Sequence, residues 1–199
     1  MGERVKSRGF MKTGRRSFAS VEGTAAIRAQ PRAFIAAFER RIEAGLLRGA
    51  PRDRSRYLVT RSADDGLGFR AADGWTALYV GLNEVELAVS PDGQVRYGIQ
   101  YPRWAGYGIA LGGAIGLALI AFFLLFDVHG YMDRHPEYGL PGLSTEQNVA
   151  IGWAMALFWG FVWPWVLIAL HKRPLRRLME QIIAEVDAAA LERSAGTGE

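Results

Sequence analysis

The sequence predicts a membrane α-helical hairpin of two transmembrane helices joined to a small cytoplasmic α+β domain. That domain is a helix, an antiparallel meander of four to five strands, and a C-terminal helix packing back on the sheet. Three observations predict this. Two apolar runs, 104–126 and 149–170, contain no charged residue. Of the 24 Lys and Arg residues, 23 lie outside the 127–148 segment between them. Before the first run, short segments alternate apolar and polar residues and are separated by turn chemistry.

In chain order, residues 1–30 are rich in Arg, Lys, Ser and Gly with scattered apolar residues, and are expected to form a flexible basic arm. They hold no apolar h-region of a signal peptide, so the first apolar run is the expected targeting signal. The α+β domain is expected over 31–102. Pro31 opens a helix with Phe34, Ile35, Phe38, Ile42 and Leu46 on one face, ending by Gly49 and Pro51. Strand signals follow at 56–62, 67–72, 75–80, 84–90 and 94–101, with "DDG" (64–66) and "PDG" (91–93) as turns. Val85, Leu87 and Val89 alternate with other residues, as do Val95, Tyr97, Ile99 and Tyr101, which describes strands with one buried face.

Transmembrane helix 1 is expected over 103–126, an external loop over 127–148 and transmembrane helix 2 over 149–170. At about 1.5 Å per residue, each uncharged run spans roughly 33–35 Å, enough for a hydrocarbon core of about 30 Å. Two core helices this apolar would need a far larger soluble protein around them. Residues 1–103 hold 18 basic against 11 acidic residues, whereas 127–148 holds one against four. Arg103 precedes the first run and "HKRPLRR" (171–177) follows the second. Positive charge stays on the cytoplasmic side, so both termini are expected there, in an inner or plasma membrane.

Gly108, Gly112 and Gly116 lie four apart, and Gly152, Ala156 and Gly160 repeat the spacing in the second run. Small residues so spaced let helix backbones approach in lipid, either within the hairpin or between two copies of the chain. Pro164 is expected to kink the second helix near its cytoplasmic end. Neither run holds a charged residue, which argues against a transporter or channel.

Residues 171–193 are expected to form an amphipathic helix starting near Pro174, with Leu175, Leu178, Met179, Ile182, Ile183 and Val186 as its apolar stripe. It either docks on the sheet, completing the domain, or lies on the membrane surface. Residues 194–199 are an expected flexible tail.

Candidate sites are few. His129, Asp133, His135 and Glu137 fall within nine residues of the external loop and are chemically fit to ligate a metal such as Zn²⁺, but their spacing matches no known motif. Arg52, Arg54 and Arg56 alternate, so an extended backbone would aim several guanidinium forks one way, toward phosphate or an anionic lipid surface. A solvated basic face is the plain alternative. The chain has no cysteine, which excludes disulfides and thiolate chemistry. It also lacks a phosphate loop, a dinucleotide fingerprint and a serine elbow. No catalytic residue, cofactor or nucleic-acid partner is expected.

Two functional expectations result. One is a non-catalytic, membrane-anchored interaction or regulatory module presenting a basic α+β domain at the cytoplasmic membrane face. Its partners are the lipid bilayer, anionic headgroups, and a protein partner or a second copy. The alternative is a lipid or small-molecule binding domain, with or without enzyme activity, whose cavity lies between sheet and helices.

Overall fold

The computed structural model describes residues 17–51 and 55–196. The chain divides into two compact units, one formed by Met1–Trp104 with His171–Glu199 and the other by Ala105–Leu170.

In the first unit, five strands form an antiparallel sheet in the order β1-β5-β4-β3-β2, with clear alternation of buried residues in β4 and β5. The strands are β1 (Ser20–Ala26), β2 (Tyr57–Ala63), β3 (Gly66–Ala71), β4 (Glu84–Val89) and β5 (Gln94–Gln100). Leu67 and Phe69 of β3, Val85 and Leu87 of β4, and Val95, Tyr97 and Ile99 of β5 are all buried on one face. Helix α1 (Pro31–Ala44) buries Phe34, Ile35, Phe38 and Ile42, and the Phe38 ring lies 5.8 Å from that of Phe69. The part of α6 (Trp163–Gly196) that belongs to this unit buries Leu175, Met179, Ile182, Ile183, Val186 and Ala190, at the three- and four-residue spacing of one helix face.

Polar contacts hold these helices. Asp187, itself buried, accepts hydrogen bonds from the backbone N–H of Arg28 (3.0 Å) and Ala29 (2.9 Å), just ahead of α1. Glu185 receives both Arg41 and Arg48, each at 3.3 Å. The Tyr97 hydroxyl donates to Glu180 across 3.2 Å. Burial first, then the Glu180 charge, pushes that phenol up to about 12.

Several expectations are corrected. Ser20–Ala26, assigned above to the flexible arm, is strand β1 and pairs with β5 from Ser20↔Gln100 to Ala26↔Gln94; residues 17–19 and 27–30 of that arm are also ordered around it, and 1–16 lie outside the described residues. Residues 75–80, read as a strand from their Trp, Thr, Tyr and Val, fall largely in helix α2 (Gly74–Tyr79). Asp73 starts it by accepting from Thr76 N–H at 2.8 Å, so a side-chain cap overrides a strand-like composition. The first helix stops at Ala44 because Gly45 turns the chain with φ 104°. No helix begins at Pro174: α6 runs through it.

The second unit contains most of α3 (Pro102–Leu125), then α4 (Val128–Arg134), a 3₁₀ turn (Pro136–Tyr138), α5 (Thr145–Leu157) and a π-helical turn (Phe158–Val162) leading into α6. The helix Pro102–Leu125 and the continuous helical run Thr145–Gly196 are both long and apolar enough to cross a membrane. The expected external loop is therefore partly helical. Ser144 and Gln147 cap α5 reciprocally, with the Ser144 hydroxyl accepting from Gln147 N–H and the Gln147 amide oxygen accepting from Ser144 N–H. The disruption expected at Pro164 takes the form of a π-turn just before it, in which Trp163 N–H reaches back five residues to Phe158 O. Such a turn re-pairs backbone groups that a helical proline would otherwise disturb.

Candidate functional site

The glycine spacing leads to a close backbone approach within the second unit. Gly112, Gly116, Ala156 and Gly160 are buried. A Cβ on Gly116 would lie 2.7 Å from Gly160 Cα, and one on Gly160 would collide with Gly116 Cα. A Cβ on Gly112 would run into the Pro164 ring and stand 3.1 Å from Gly160 O. Gly152 faces the Phe123 ring, with 2.7 Å left for a Cβ. Gly108 is different: a Cβ there meets nothing within 4 Å. Only part of the six-residue pattern, then, is at the closest contact.

The His and carboxylate group of the 127–148 segment separates into two exposed pairs, His129–Asp133 at 3.5 Å and His135–Glu137 at 3.2 Å. Helical spacing makes the first pair and the 3₁₀ turn the second. Among the described residues there is no group of three or more His, Cys, Asp or Glu that could hold a metal ion. Asp127 also serves locally, accepting from Gly130 N–H as the cap of α4.

Of the arginine row, Arg52 and Arg54 lie outside the described residues, and Arg56 is exposed. Arg56 lines a cleft of about 760 Å³ together with Arg41, Arg48, Ser55 and Tyr57. The Ser55 hydroxyl accepts from Leu47 N–H at 3.0 Å. The Tyr57 hydroxyl and Arg41 Nε are buried and have no hydrogen-bond partner among the described residues. Burial, with the Asp73 charge adding to it, pushes the Tyr57 phenol well above its usual range.

A second recess lies beside β1 and was not legible in the sequence as a site. It has a volume of about 530 Å³ and is lined by Ser17, Ser20, Glu22, Lys172, Arg173 and Arg176. Arg176 donates to the Glu22 carbonyl at 3.0 Å, so its guanidinium covers an outward backbone oxygen of the sheet edge. The basic residues were visible as the run after 170. Their neighbours Ser20 and Glu22 come from a strand the sequence did not announce.

The residues flanking the apolar runs are locked together inside the first unit. The His171 ring stacks on Trp104 with centroids 3.9 Å apart and planes 9° from parallel. Its Nε2 lies 3.0 Å from Val80 O. A carbonyl only accepts, so Nε2 carries the proton of that bond. Burial holds the imidazole below its usual value, partly offset by the bond to Val80. Asn83, also buried, donates to Ala77 O at 2.7 Å and accepts from Arg103 N–H at 2.7 Å. Tyr101 N–H donates to Ala19 O at 2.9 Å. Nothing in the spacing of Asn83 or His171 foretells the bonds to Arg103 and Val80, because they join parts of the chain 20 and 91 residues apart.

No protein-family model matches this chain, and neither does a curated protein or a solved structure.

Proposed function

We propose that this protein is a non-catalytic, membrane-anchored interaction module. Its two apolar helices hold a basic α+β domain against the anionic cytoplasmic leaflet, with both termini on that side of an inner or plasma membrane. The observation that carries the reading is the recess lined by Lys172, Arg173 and Arg176. These residues follow directly on the uncharged run 149–170, so covalent continuity alone keeps them at its boundary. Each suitably placed Lys or Arg near an anionic leaflet adds on the order of 1 kcal/mol of attraction. Two facts support a binding role over catalysis. Phe34, Phe38, Phe69, Leu87, Ile99 and Met179 are buried between helices and sheet, and the carboxylates Asp73, Asp127, Glu185 and Asp187 serve caps, ion pairs and helix docking. A protein partner or a second copy of the chain is accommodated in the same reading.

The test uses the first unit alone, with residues 1–104 joined to 171–199 by a short Gly/Ser linker. The Trp104–His171 stack places the two ends close enough for such a closure. This polypeptide is expected to sediment with liposomes containing phosphatidylglycerol and not with phosphatidylcholine liposomes, and to dissociate as salt rises to physiological strength. Lys172, Arg173 and Arg176 changed together to Gln should abolish sedimentation. Binding that ignores both salt and lipid charge would remove the leaflet from the proposal.

A second reading, a small-ligand site, is favoured by the Arg41/Arg48/Arg56 cleft, where the Tyr57 hydroxyl and Arg41 Nε have no partner among the described residues. Buried donors without acceptors are costly, and a bound oxyanion or water relieves them. Inorganic phosphate that raises the melting temperature of the wild type, but not of Arg48→Gln/Arg56→Gln, would support it.

A further inference from the structure

We infer that helix α2 is an interfacial foot, whose Trp75 and Tyr79 seat in the headgroup layer of the bilayer beside the roots of the two apolar helices. This rests on the membrane reading proposed above and adds a surface of different chemistry, aromatic where the recess beside β1 is basic.

Helix α2 turns its polarity inside out. Thr76 and Ala77 are fully buried, while Trp75 is 76% exposed and Tyr79, four residues later on the same side, is 44% exposed. No charged residue occurs from Gly74 to Asn83. A side chain as large as Trp left this open to water marks a surface with something to cover it. Short soluble helices normally place such a residue inward.

The location identifies the cover. Val80, which ends α2, bonds through its carbonyl to His171, the first residue after the run 149–170. The Ala77 carbonyl accepts from Asn83, whose side-chain oxygen in turn accepts from Arg103 N–H, immediately before the run 104–126. Helix α2 is thus tied by one or two hydrogen bonds to a flanking residue of each run. A hydrogen bond is about 3 Å and successive Cα atoms about 3.8 Å apart, so α2 lies within roughly 10 Å of both boundaries however the domain is tilted. That depth is where Trp and Tyr are enriched in membrane proteins, with the ring against acyl chain and the N–H or O–H among headgroups.

The other flank agrees. Ala19 O accepts from Tyr101 N–H, which brings the neighbouring Phe18, 52% exposed, to the same boundary. Among the described residues the first unit exposes five large apolar side chains, Phe18, Leu58, Val59, Trp75 and Tyr79. The three aromatic ones belong to segments bonded to the flanking residues. Leu58 and Val59 sit on β2 instead, at the edge of the sheet. A headgroup layer around the helix roots accounts for this sorting, whereas a protein partner would not need to follow the span boundaries.

The test uses the full chain, which has no native cysteine. A Cβ at Gly74 meets nothing within 4 Å, so Gly74→Cys carries a nitroxide label next to an intact Trp75. In proteoliposomes of mixed phosphatidylglycerol and phosphatidylcholine, power saturation is measured with oxygen and with a water-soluble nickel chelate. The label is expected to be relaxed by oxygen and shielded from nickel, and to lose that shielding in the Trp75→Ser/Tyr79→Ser background. A label at 74 as open to nickel as one at Gln94→Cys overturns the inference, as does shielding that survives the double change. A third label at Leu119→Cys separates the two readings. If 119 is immersed and 74 is not, only the foot is wrong; if 119 is also open to nickel, the membrane reading falls and the foot with it.

Discussion

Asp187 offers the sharpest energetic test of how the C-terminal helix is attached to the sheet domain. Its carboxylate satisfies two backbone donors in the connection between β1 and α1, Arg28 N–H and Ala29 N–H. The bond to Ala29 is buried; that to Arg28 is only partly so. Asp187→Ala leaves both donors without an acceptor. An unsatisfied buried donor costs about 1–3 kcal/mol, and the Arg28 amide can recover part of its loss from water, so the change should cost about 2–4 kcal/mol. Nothing is added for the contact of Asp187 with the mostly exposed Arg28 side chain, 3.7 Å away, since such pairs contribute little. For a chain of this size about 2–4 °C is lost per kcal/mol, which puts the fall in melting temperature on the order of 10 °C. Asp187→Asn keeps one oxygen to receive both N–H groups and should lose less than half as much. The assay is thermal unfolding in detergent, followed by tryptophan fluorescence, with Glu192→Ala as an exposed control on the same helix. If Asp187→Ala melts with Glu192→Ala, the carboxylate is not what secures the helix, and the apolar stripe from Leu175 to Ala190 with the Glu180 and Glu185 contacts does so instead.

Three further outcomes are expected. Gly116→Ala must push a methyl group against Gly160 Cα, a backbone atom that cannot swing aside, so it should destabilise the detergent-solubilised protein by about 1–3 kcal/mol; Gly108→Ala, with open space for its Cβ, should be neutral or slightly stabilising, and equal effects from the two would show that the close approach does not matter. Leu143→Cys should react with a membrane-impermeant maleimide in intact cells while Ser194→Cys does so only after lysis, and labelling of 194 without lysis would contradict the proposed orientation. His171 has its folded-state value held below the unfolded one by burial, so its contribution is intact above about pH 6.5 and is lost as pH falls from there toward the lower folded value; the melting temperature of the wild type should drop over that window more than that of His171→Gln, and parallel curves would show that His171 does not couple the site to pH.

What the sequence made legible follows from periodicity. Charge-free runs of more than twenty residues, the Leu175–Val186 stripe and the alternation through β4 and β5 all repeat one rule often enough to be read without the fold. Helix α2 has only six residues, too few for a period to emerge, and its Trp and Tyr mimic a strand because they face outward. The helical character of 128–138 was hidden similarly, since Asp127 caps α4 and Pro136 opens the 3₁₀ turn in a segment that composition alone marks as loop. The glycine stripe was readable as a spacing, yet spacing could not say that Gly108 stands clear while Gly116 and Gly160 touch; that depends on where the two helices cross.

Strand β1 shows why some of the domain could not be read at all. In "SVEGTAA" one large apolar residue, Val21, takes the inward face, and the next inward position is Gly23. Alternation fails there for a reason that lies on another strand. Gly23 pairs with Tyr97 of β5, and a Cβ at 23 would collide with the Tyr97 ring and hydroxyl. The phenol needs that space because it crosses beneath β1 to donate to Glu180 of α6. A side chain on β1 would therefore fill the sheet's apolar pattern at the cost of the bond between sheet and C-terminal helix. The polar look of the strand is the consequence of a neighbour's reach, and it makes Gly23, Tyr97 and Glu180 one interaction spread over three elements that lie more than 150 residues apart at their ends.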